Sequence, residues 1–328
     1  MKKSILALPI ALTLIACTQA NQTIQVQQSI KVTESDIKFS ADSALQYVIA
    51  QTAFGPRVPS STSHAQCLSY LEEKLKSFGA EVTIQEGEGT SFESKTLPVR
   101  NIIAQINKPK ANRVILCSHW DSRPFADQDA DSQYHNTPID GANDGASGVG
   151  ILLEIARQLQ QHKADIGVDI ILFDTEDYGT PQHIKPEKYV PDSWCLGSQY
   201  WGKSTLGKNN QARYAILLDM VGAAGAQFYQ EHYSKSTAPN VVNKVWRAAK
   251  EIGYGSYFVD DEGGYITDDH YYVNKLTQIP CIDIIQYDPQ TQSGFYQHWH
   301  THNDVADNID RATLEAVGRT LLYVIYNE

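Results

Sequence analysis

The stretch at residues 173–177 constrains this chain more than any other, because an apolar run here ends in the acids Asp174, Glu176 and Asp177. Residues 168–173 are mostly isoleucine, leucine, valine and phenylalanine, which predicts a buried strand. In a parallel α/β sheet, ligands bind outside the carboxyl ends of the strands, so we expect the last two acids to emerge at a binding site. One could hold a metal while the other carries a proton. A solvated acidic turn is the alternative to a binding site, and features elsewhere in the chain are needed to choose between them.

Two more apolar runs end in the same way. Residues 113–117 are followed by His119 and Asp121, and residues 214–218 are followed by Asp219. Random solvated turns would not readily repeat this placement, so the pattern favours a reaction site at one edge of a sheet.

Two long loops deliver further polar groups. The loop at residues 123–142 is rich in Asp, Pro, Asn and Gly, and it leads to Asp144, just before a helix predicted to begin at Ala146. The loop at residues 178–194 is long for a compact domain, and such loops are usually functional or mobile. Trp194 at its end is a candidate substrate contact.

Strands alternate with helices along the whole chain. Strand patterns lie at residues 99–106, 113–117, 168–173, 214–218 and 282–285, and helical patterns at 41–54, 61–78, 146–159, 196–206, 238–252 and 311–326. This alternation predicts an α/β fold with an open, doubly wound, largely parallel sheet flanked by helices. We find no internal repeat and no second domain boundary. The acidic residues 260–262 are interpreted as a solvated turn.

The N-terminus predicts export. Lys2 and Lys3 precede an apolar run at residues 5–16 that suits the core of a signal peptide. Residues 14–17, Leu-Ile-Ala-Cys, resemble a bacterial lipobox, which predicts a signal peptide at 1–16, a lipidated Cys17 with a flexible tether at 17–30, and one catalytic domain at 31–328. Because residue 18 is not aspartate, the expected location is the periplasm, with the lipid anchor in the outer membrane. Secretion without a lipid is the alternative.

Charge and cysteine content exclude some classes of partner and site. The formal net charge of −11 and the absence of a Lys/Arg cluster argue against nucleic acid. The cysteines at 67, 117, 195 and 281 contain no C-x-x-C pair, so a cysteine zinc cage is not expected. Buried thiols and a disulfide both remain open.

The candidate functional side chains are histidines and carboxylates without cysteine, which is the composition of an open, catalytic zinc site. They are His119, Asp121, Asp144, Glu176, Asp177, Asp219 and His300. Their separation along the chain is a weak signal, and their shared placement after strands is the stronger one.

Several motifs from residue 99 to the C-terminus resemble the zinc-dependent aminopeptidase fold and, within it, the glutaminyl-peptide cyclotransferases of animals and bacteria. The matching motifs are Ser118-His119-Trp120-Asp121, Gly141-Ala142-Asn143-Asp144, Phe173-Asp174-Thr175-Glu176-Asp177, Leu217-Leu218-Asp219-Met220-Val221-Gly222, Asp268-Asp269-His270 and Trp299-His300-Thr301. The first four and His300 are shared with the aminopeptidases. The Asp268-Asp269-His270 motif and Trp299 favour the cyclotransferases.

This resemblance implies one Zn²⁺ per chain, bound by Asp144, Asp177 and His300. The γ-carbonyl of an N-terminal glutamine would take the open position on the metal, and Glu176 would carry the proton from the attacking amine to the departing ammonia.

The resemblance also implies supporting roles. Asp219 and Asp269 would share a hydrogen-bond network with Glu176, and Trp299 would form a wall of the substrate pocket. His119 and Asp121 would mainly support the site rather than hold a metal.

One position departs from the animal enzymes, which have two glutamates where this chain has Glu176 and Asp177. The shorter ligand is still competent to bind zinc. The expected partners are peptides or proteins with N-terminal glutamine, with no nucleic acid, a membrane contact only through the lipid, and a monomeric chain.

Two other functions are considered. A two-zinc aminopeptidase would use the same histidines and carboxylates to activate water and cleave an N-terminal residue. A non-catalytic binding lipoprotein would show broken metal ligands, and here none is broken.

Overall fold

Six strands form one sheet that organises the molecule. The structure is a computed structural model that describes residues 32–328, so the predicted signal peptide, Cys17 and the tether to residue 30 lie outside the described residues. The strands are β1 (Glu81–Thr90), β2 (Thr96–Ile106), β3 (Arg113–His119), β4 (Gly167–Phe173), β5 (Ala215–Asp219), β6 (Phe228–Gln230), β7 (Phe258–Glu262) and β8 (Cys281–Ile285). The sheet has the order β1-β2-β4-β3-β5-β8, and β6 pairs with β7 separately.

Most of the described helices begin where a polar side chain accepts a hydrogen bond from the first turn. They are α1 (Ala41–Thr52), α2 (Thr62–Ser77), α3 (Ala146–Gln161), α4 (Leu196–Lys203), α5 (Thr205–Lys208), α6 (His232–Thr237), α7 (Pro239–Glu251), α8 (Asp269–Leu276) and α9 (Arg311–Tyr326). Ser40, Ser61 and Asp310 cap α1, α2 and α9 in this way. The helix predicted at 196–206 is interrupted, because Ser204 has an extended backbone and caps α5.

The pairing of the strands confirms the predicted fold class. Strands β3, β4, β5 and β8 run parallel, whereas β1 and β2 add two antiparallel pairs at one side. Strand β1 escaped prediction because its polar, glycine-containing sequence suits an exposed edge rather than a buried strand. The predicted turn at 260–262 is wrong, since these residues end β7, although their side chains are exposed.

Alternate residues of the central strands pack on opposite faces of the sheet. Val114 and Leu116 of β3 join the large core that contains residues of α1, α2, α3, α7 and α9. Their neighbours Ile115 and Cys117 pack instead with Trp201 of α4 and with α8. Helices therefore cover both faces, as a doubly wound sheet requires.

The parallel strands bring their carboxyl ends to one edge. His119 at the end of β3 is in register with Phe173 at the end of β4, and Asp219 ends the adjacent strand β5. The residues after these strands therefore lie close together.

Two observations bear on cysteine chemistry and on membranes. The four cysteines of the described chain are buried free thiols. Between residues 32 and 328, no helix combines the length and apolar character needed to cross a bilayer.

Candidate active site

A cavity of about 840 Å³ opens at the carboxyl edge of the sheet. The charged groups of its lining are Asp144, Glu176, Asp177, Asp192, Asp219, Asp268 and His300, and its aromatic walls include Trp194 and Trp299. Of the seven residues to which the resemblance gives a catalytic, substrate-binding or metal-binding role, six line this cavity. The seventh, Asp269, is fully buried outside the lining.

Asp144, Asp177 and His300 form a group that can hold a metal. One donor atom of each lies within 4.8 Å of the others. Nε2 of His300 is 3.2 Å from Oδ1 of Asp177 and 3.5 Å from Oδ2 of Asp144. The buried Oδ2 atoms of both aspartates have no hydrogen-bond partner within the described part of the chain. Two carboxylates, one imidazole and an open side toward the cavity fit a catalytic zinc site.

The loop that carries Asp144 is held by a residue four positions after His300. The carboxylate of Asp304 accepts hydrogen bonds from the backbone N–H groups of Asn143 (2.8 Å) and Asp144 (3.0 Å). Gly145 then turns with φ 91°, and a side chain there would lie 2.7 Å from the His119 ring. Only glycine suits this close approach and this backbone angle.

The turn that carries Glu176 and Asp177 is held in the same manner. The carboxylate of Asp121 accepts hydrogen bonds from the backbone N–H groups of Glu176 (3.0 Å) and Asp177 (3.2 Å). Asp174 is bound to Nε2 of His64 at 2.7 Å and to the backbone N–H of Arg100 at 2.7 Å. Asp121 and Asp174 therefore support the turn through hydrogen bonds.

Two buried residues from the loop at 123–142 contact the metal-binding group from outside. Oδ1 of Asp127 lies 3.3 Å from Nδ1 of His300. The Arg123 guanidinium donates to both Asp127 oxygens (2.7 and 2.9 Å) and to Oδ1 of Asp177 (3.2 Å). Such contacts orient a ligand side chain and adjust its affinity for metal.

His119 and Asp219 form a second group with Asp144. Nε2 of His119 is 3.1 Å from Oδ1 of Asp144 and 3.2 Å from Oδ1 of Asp219. Burial raises the pKa of Asp219 to about 7, although the hydrogen bond from His119 opposes this shift. His119 and Asp219 are hydrogen-bonded, Nδ1 of His119 has no hydrogen-bond partner within the described residues, and the donor atoms of this group could also surround a second metal ion.

The carboxylate grouped with Glu176 in the structure is Asp268, whereas the resemblance implied a network with Asp219 and Asp269. Donor atoms of Glu176, Cys195 and Asp268 lie within 4.8 Å of one another. Asp268 is the N-cap of α8 and lines the cavity. Asp269 is the first residue of α8 and is buried outside the cavity lining. Burial, followed by the charge of Asp268, raises the pKa of Glu176 well above its usual range. A raised pKa suits a group that accepts a proton and then returns it.

The rings of two tryptophans stack with the imidazole of His300. The Trp299 ring stacks on it at 3.8 Å between centroids, and the Trp194 ring lies parallel to it at 6.0 Å. The guanidinium carbon of Arg123 lies over the Trp194 ring, 4.5 Å from its centroid. A side chain at Gly179 would meet the Trp194 ring at 1.9 Å, so glycine is needed there.

Several site residues adopt left-handed backbone conformations. Thr175, Cys195, Met220 and His300 have φ values of 55°, 56°, 48° and 56°. This conformation is unfavourable for residues other than glycine and tends to be retained at functional sites. The other two histidines near His300 stay outside the metal-binding group, and His302 is bound to Asp129.

Sequence reasoning named four of the six acids and the histidine that line the cavity, but not Asp192 or Asp268, and it missed several residues that orient them. Asp268 stood in a recognised motif, and only its N-cap position distinguishes it from Asp269. Asp127 and Arg123 lie in an irregular loop without any pattern, so no sequence signal could have identified them. Asp304 follows His300 closely, but nothing in the sequence marks its contact with residues 143 and 144.

A histidine and carboxylate centre at the carboxyl edge of a doubly wound sheet defines a zinc-dependent enzyme of the exopeptidase fold. The model of peptidase family M28 matches residues 101–325, and the chain belongs to this family.

Solved structures and a curated relative agree with this class. The chain is 53% identical to the glutaminyl cyclase of Tannerella forsythia, with 89% of this chain and 100% of that chain covered and a TM-score of 0.87. It is 52% identical to a Zn-dependent exopeptidase from Parabacteroides distasonis, with 89% and 99% covered and a TM-score of 0.87. Aminopeptidase YwaD of Bacillus subtilis is 26% identical over 266 residues, which are 77% of this chain. The chain spans about half the length of that curated relative, 50%.

Proposed function

We propose that this chain is a glutaminyl-peptide cyclotransferase, which converts the N-terminal glutamine of peptides or proteins to pyroglutamate with release of ammonia. The observation that carries this proposal is the pair of carboxylates, Glu176 and Asp268, beside a three-ligand metal-binding group in one cavity. The identity of 53% to the Tannerella forsythia glutaminyl cyclase supports it, because that identity extends over the whole of that chain.

The metal-binding group fits zinc by its donor atoms and by their unpartnered oxygens. When bound by Asp144, Asp177 and His300, zinc supplies Lewis-acid polarisation of a carbonyl oxygen. The remaining chemistry is proton transfer and positioning by the chain itself.

Glu176 carries the proton in this reaction. The α-amine of the substrate attacks the γ-carbonyl carbon, and the Glu176 carboxylate takes a proton from the amine as the carbon–nitrogen bond forms. Glu176 then returns the proton to the leaving amide nitrogen, and the bond to that nitrogen breaks to release ammonia. Proton transfer by a positioned side chain is typically worth about 10²–10⁴-fold in rate. Asp268 shares the cavity with Glu176, so their titrations are linked.

Ring closure needs no external nucleophile, so much of the rate comes from holding the glutamine in a folded conformation. Trp299, which lies against His300 and Phe295, forms the wall that would hold the side chain of the substrate. Trp194 also lines the cavity, with its ring parallel to that of His300 at 6.0 Å.

We propose one zinc ion per chain. In the second group, Nε2 of His119 is hydrogen-bonded to Oδ1 of Asp219 at 3.2 Å, whereas the first group offers the Oδ2 atoms of Asp144 and Asp177, which have no hydrogen-bond partner within the described residues. Elemental analysis of zinc-saturated protein tests this, and two tightly bound ions per chain would overturn it.

A two-zinc aminopeptidase is the second candidate. The grouping of His119, Asp144 and Asp219 within 4.8 Å favours it, because these atoms could complete a second metal site that shares Asp144. The similarity to Aminopeptidase YwaD also favours the aminopeptidase.

Mass spectrometry of two peptides separates these functions. One peptide begins with Gln and the other with Leu, and both are incubated with purified protein. Loss of ammonia from the Gln peptide alone supports the cyclotransferase, whereas removal of the first residue supports the aminopeptidase. The Glu176→Gln variant should lose turnover and keep zinc, and His300→Ala should lose both.

We also propose that Cys17 carries a lipid that anchors the enzyme in the periplasm at the outer membrane. The lipobox-like residues 14–17 support this. Metabolic labelling with an alkyne fatty acid should label the full chain and not a Cys17→Ser variant. Labelling of both to the same extent would contradict the anchor.

A further inference from the structure

The thiol of Cys195 contacts the carboxylate of Glu176. Sγ of Cys195 lies 3.0 Å from Oε1 of Glu176, and the thiol donates this hydrogen bond. Among residues 32–328, no other group donates a hydrogen bond to the Glu176 carboxylate. Glu176 is 8% exposed and lines the cavity.

The backbone holds this thiol in place. The N–H of Cys195 donates to the carbonyl of Glu176 at 2.8 Å, and the N–H of Leu196 donates to the carbonyl of Thr175 at 3.0 Å. Both Thr175 and Cys195 have left-handed backbone conformations, with φ values of 55° and 56°. Two unfavourable conformations in these hydrogen-bonded segments cost free energy, and the surrounding structure retains them.

The thiol is suited to donate rather than to react. Cys195 is fully buried, and burial, followed by the charge of Glu176, raises the pKa of its thiol well above the usual range. It therefore keeps its proton. A buried thiol of this kind is a weak donor with a fixed direction.

We propose that Cys195 is a positioning residue for Glu176, whose thiol holds Oε1 so that the other carboxylate oxygen faces the reacting groups. This inference rests on the proposed function only in taking Glu176 as the proton carrier. It concerns orientation, because a carboxylate free to rotate would spend less time in the productive geometry.

The test compares two substitutions in the full chain. Cys195→Ala removes the donor, and kcat should fall about tenfold while KM stays within about twofold, since a hydrogen bond to a charged group is lost. Cys195→Ser keeps a donor, and kcat should stay within about threefold of wild type. If Cys195 only fills space, serine should be no better than alanine, and that ranking would overturn the proposal.

Cys67 offers the matched control. It is also fully buried, but it lies on α2, away from the cavity. Cys67→Ala and Cys67→Ser should therefore leave kcat unchanged. A loss of kcat in the Cys67 variants equal to that of Cys195→Ala would show a general effect of losing a buried thiol and would overturn the proposal.

A spectroscopic measurement keeps this test independent of the reaction catalysed. The infrared difference between wild type and Cys195→Ser isolates the S–H stretching band of Cys195. In the Glu176→Gln variant this band should move to higher frequency, because a neutral amide is a weaker acceptor than a carboxylate. An unmoved band would overturn the contact. If wild type cleaves peptides instead of cyclising glutamine, the same variants are compared on that substrate, and only the proposed function fails.

Discussion

Oδ1 of Asp127 lies 3.3 Å from Nδ1 of His300, on the ring nitrogen opposite the one that faces Asp144 and Asp177. A carboxylate in this position selects the tautomer of His300 that leaves Nε2 free for a metal. Arg123 in turn binds both Asp127 oxygens. The orientation of His300 thus depends on a loop that is remote from it in sequence.

Asp127→Asn should weaken zinc binding about 10- to 100-fold, because the neutral amide no longer fixes the tautomer or raises the basicity of His300. Competition with a chromophoric chelator measures the affinity. Asp131→Asn, an exposed substitution in the same loop, is the control and should bind zinc like wild type. Equal affinities for the Asp127 variant and wild type would contradict this role.

The two adjacent acids at the start of α8 can be told apart by isosteric substitution. Asp268→Asn should lower kcat about 100-fold or more, because it removes the carboxylate beside Glu176, the proposed proton carrier. Asparagine is also a good N-cap, so α8 should persist. Asp269→Asn should have a smaller effect on kcat, since this side chain is buried outside the cavity lining. Steady-state kinetics with a Gln peptide compares them, and the reverse ranking would assign the role to Asp269.

Asp268 and Asp269 also illustrate which parts of the fold and the site can be predicted from the sequence. The central strands and the residues directly after them could be predicted, because a buried parallel strand is nearly continuous in apolar residues and its carboxyl end places the next few residues at the edge of the sheet. Sequence alone could not choose between Asp268 and Asp269, because neighbouring residues at a helix start point in different directions and only tertiary packing selects one. The resemblance to zinc aminopeptidases and glutaminyl cyclases rests on motifs, and the matched family and structures confirm it.

The contacts around the metal-binding group lay beyond prediction for a different reason. Asp127 and Arg123 come from an irregular loop, where neither period nor propensity restricts the chain. Their pairing depends on burial, which makes an unpaired charge costly and so brings the two side chains together. Strand β1 was missed because an edge strand with one neighbour carries little apolar signal.

Substitution of Trp299 tests its proposed role as a wall of the substrate pocket. Its ring stacks on His300 and contacts Phe295, so Trp299→Ala should raise KM for a Gln peptide about tenfold through loss of aromatic surface. Trp299→Phe keeps an aromatic ring and should raise KM by about threefold or less. Elemental analysis should find zinc in both variants. An unchanged KM in Trp299→Ala would exclude this side chain from the substrate pocket.

The buried carboxylate of Glu231 predicts how stability depends on pH. Glu231 caps α6 through the N–H groups of Tyr233 (2.8 Å) and Ser234 (2.5 Å), and its Oε2 lies 3.2 Å from Nε2 of His270, whose other nitrogen faces Asp283 on β8. Burial alone would raise the pKa of Glu231, but His270 and the two N–H groups outweigh it and lower the pKa to about 2. The charged form is therefore stabilised by folding.

Because the folded pKa of Glu231 is about 2 and its ordinary value is 4.5, its contribution to stability is complete above pH 4.5 and is lost as the pH falls towards 2. The destabilisation caused by Glu231→Gln should be largest at pH 7 and smaller by about 2 kcal/mol at pH 3. Urea unfolding of wild type and variant at both pH values measures this difference. Glu262→Gln removes a carboxylate from an exposed ion pair with Lys235 and should change stability little at either pH. A destabilisation by Glu231→Gln that is the same at pH 7 and pH 3 would mean that the Glu231 charge does not contribute to folding.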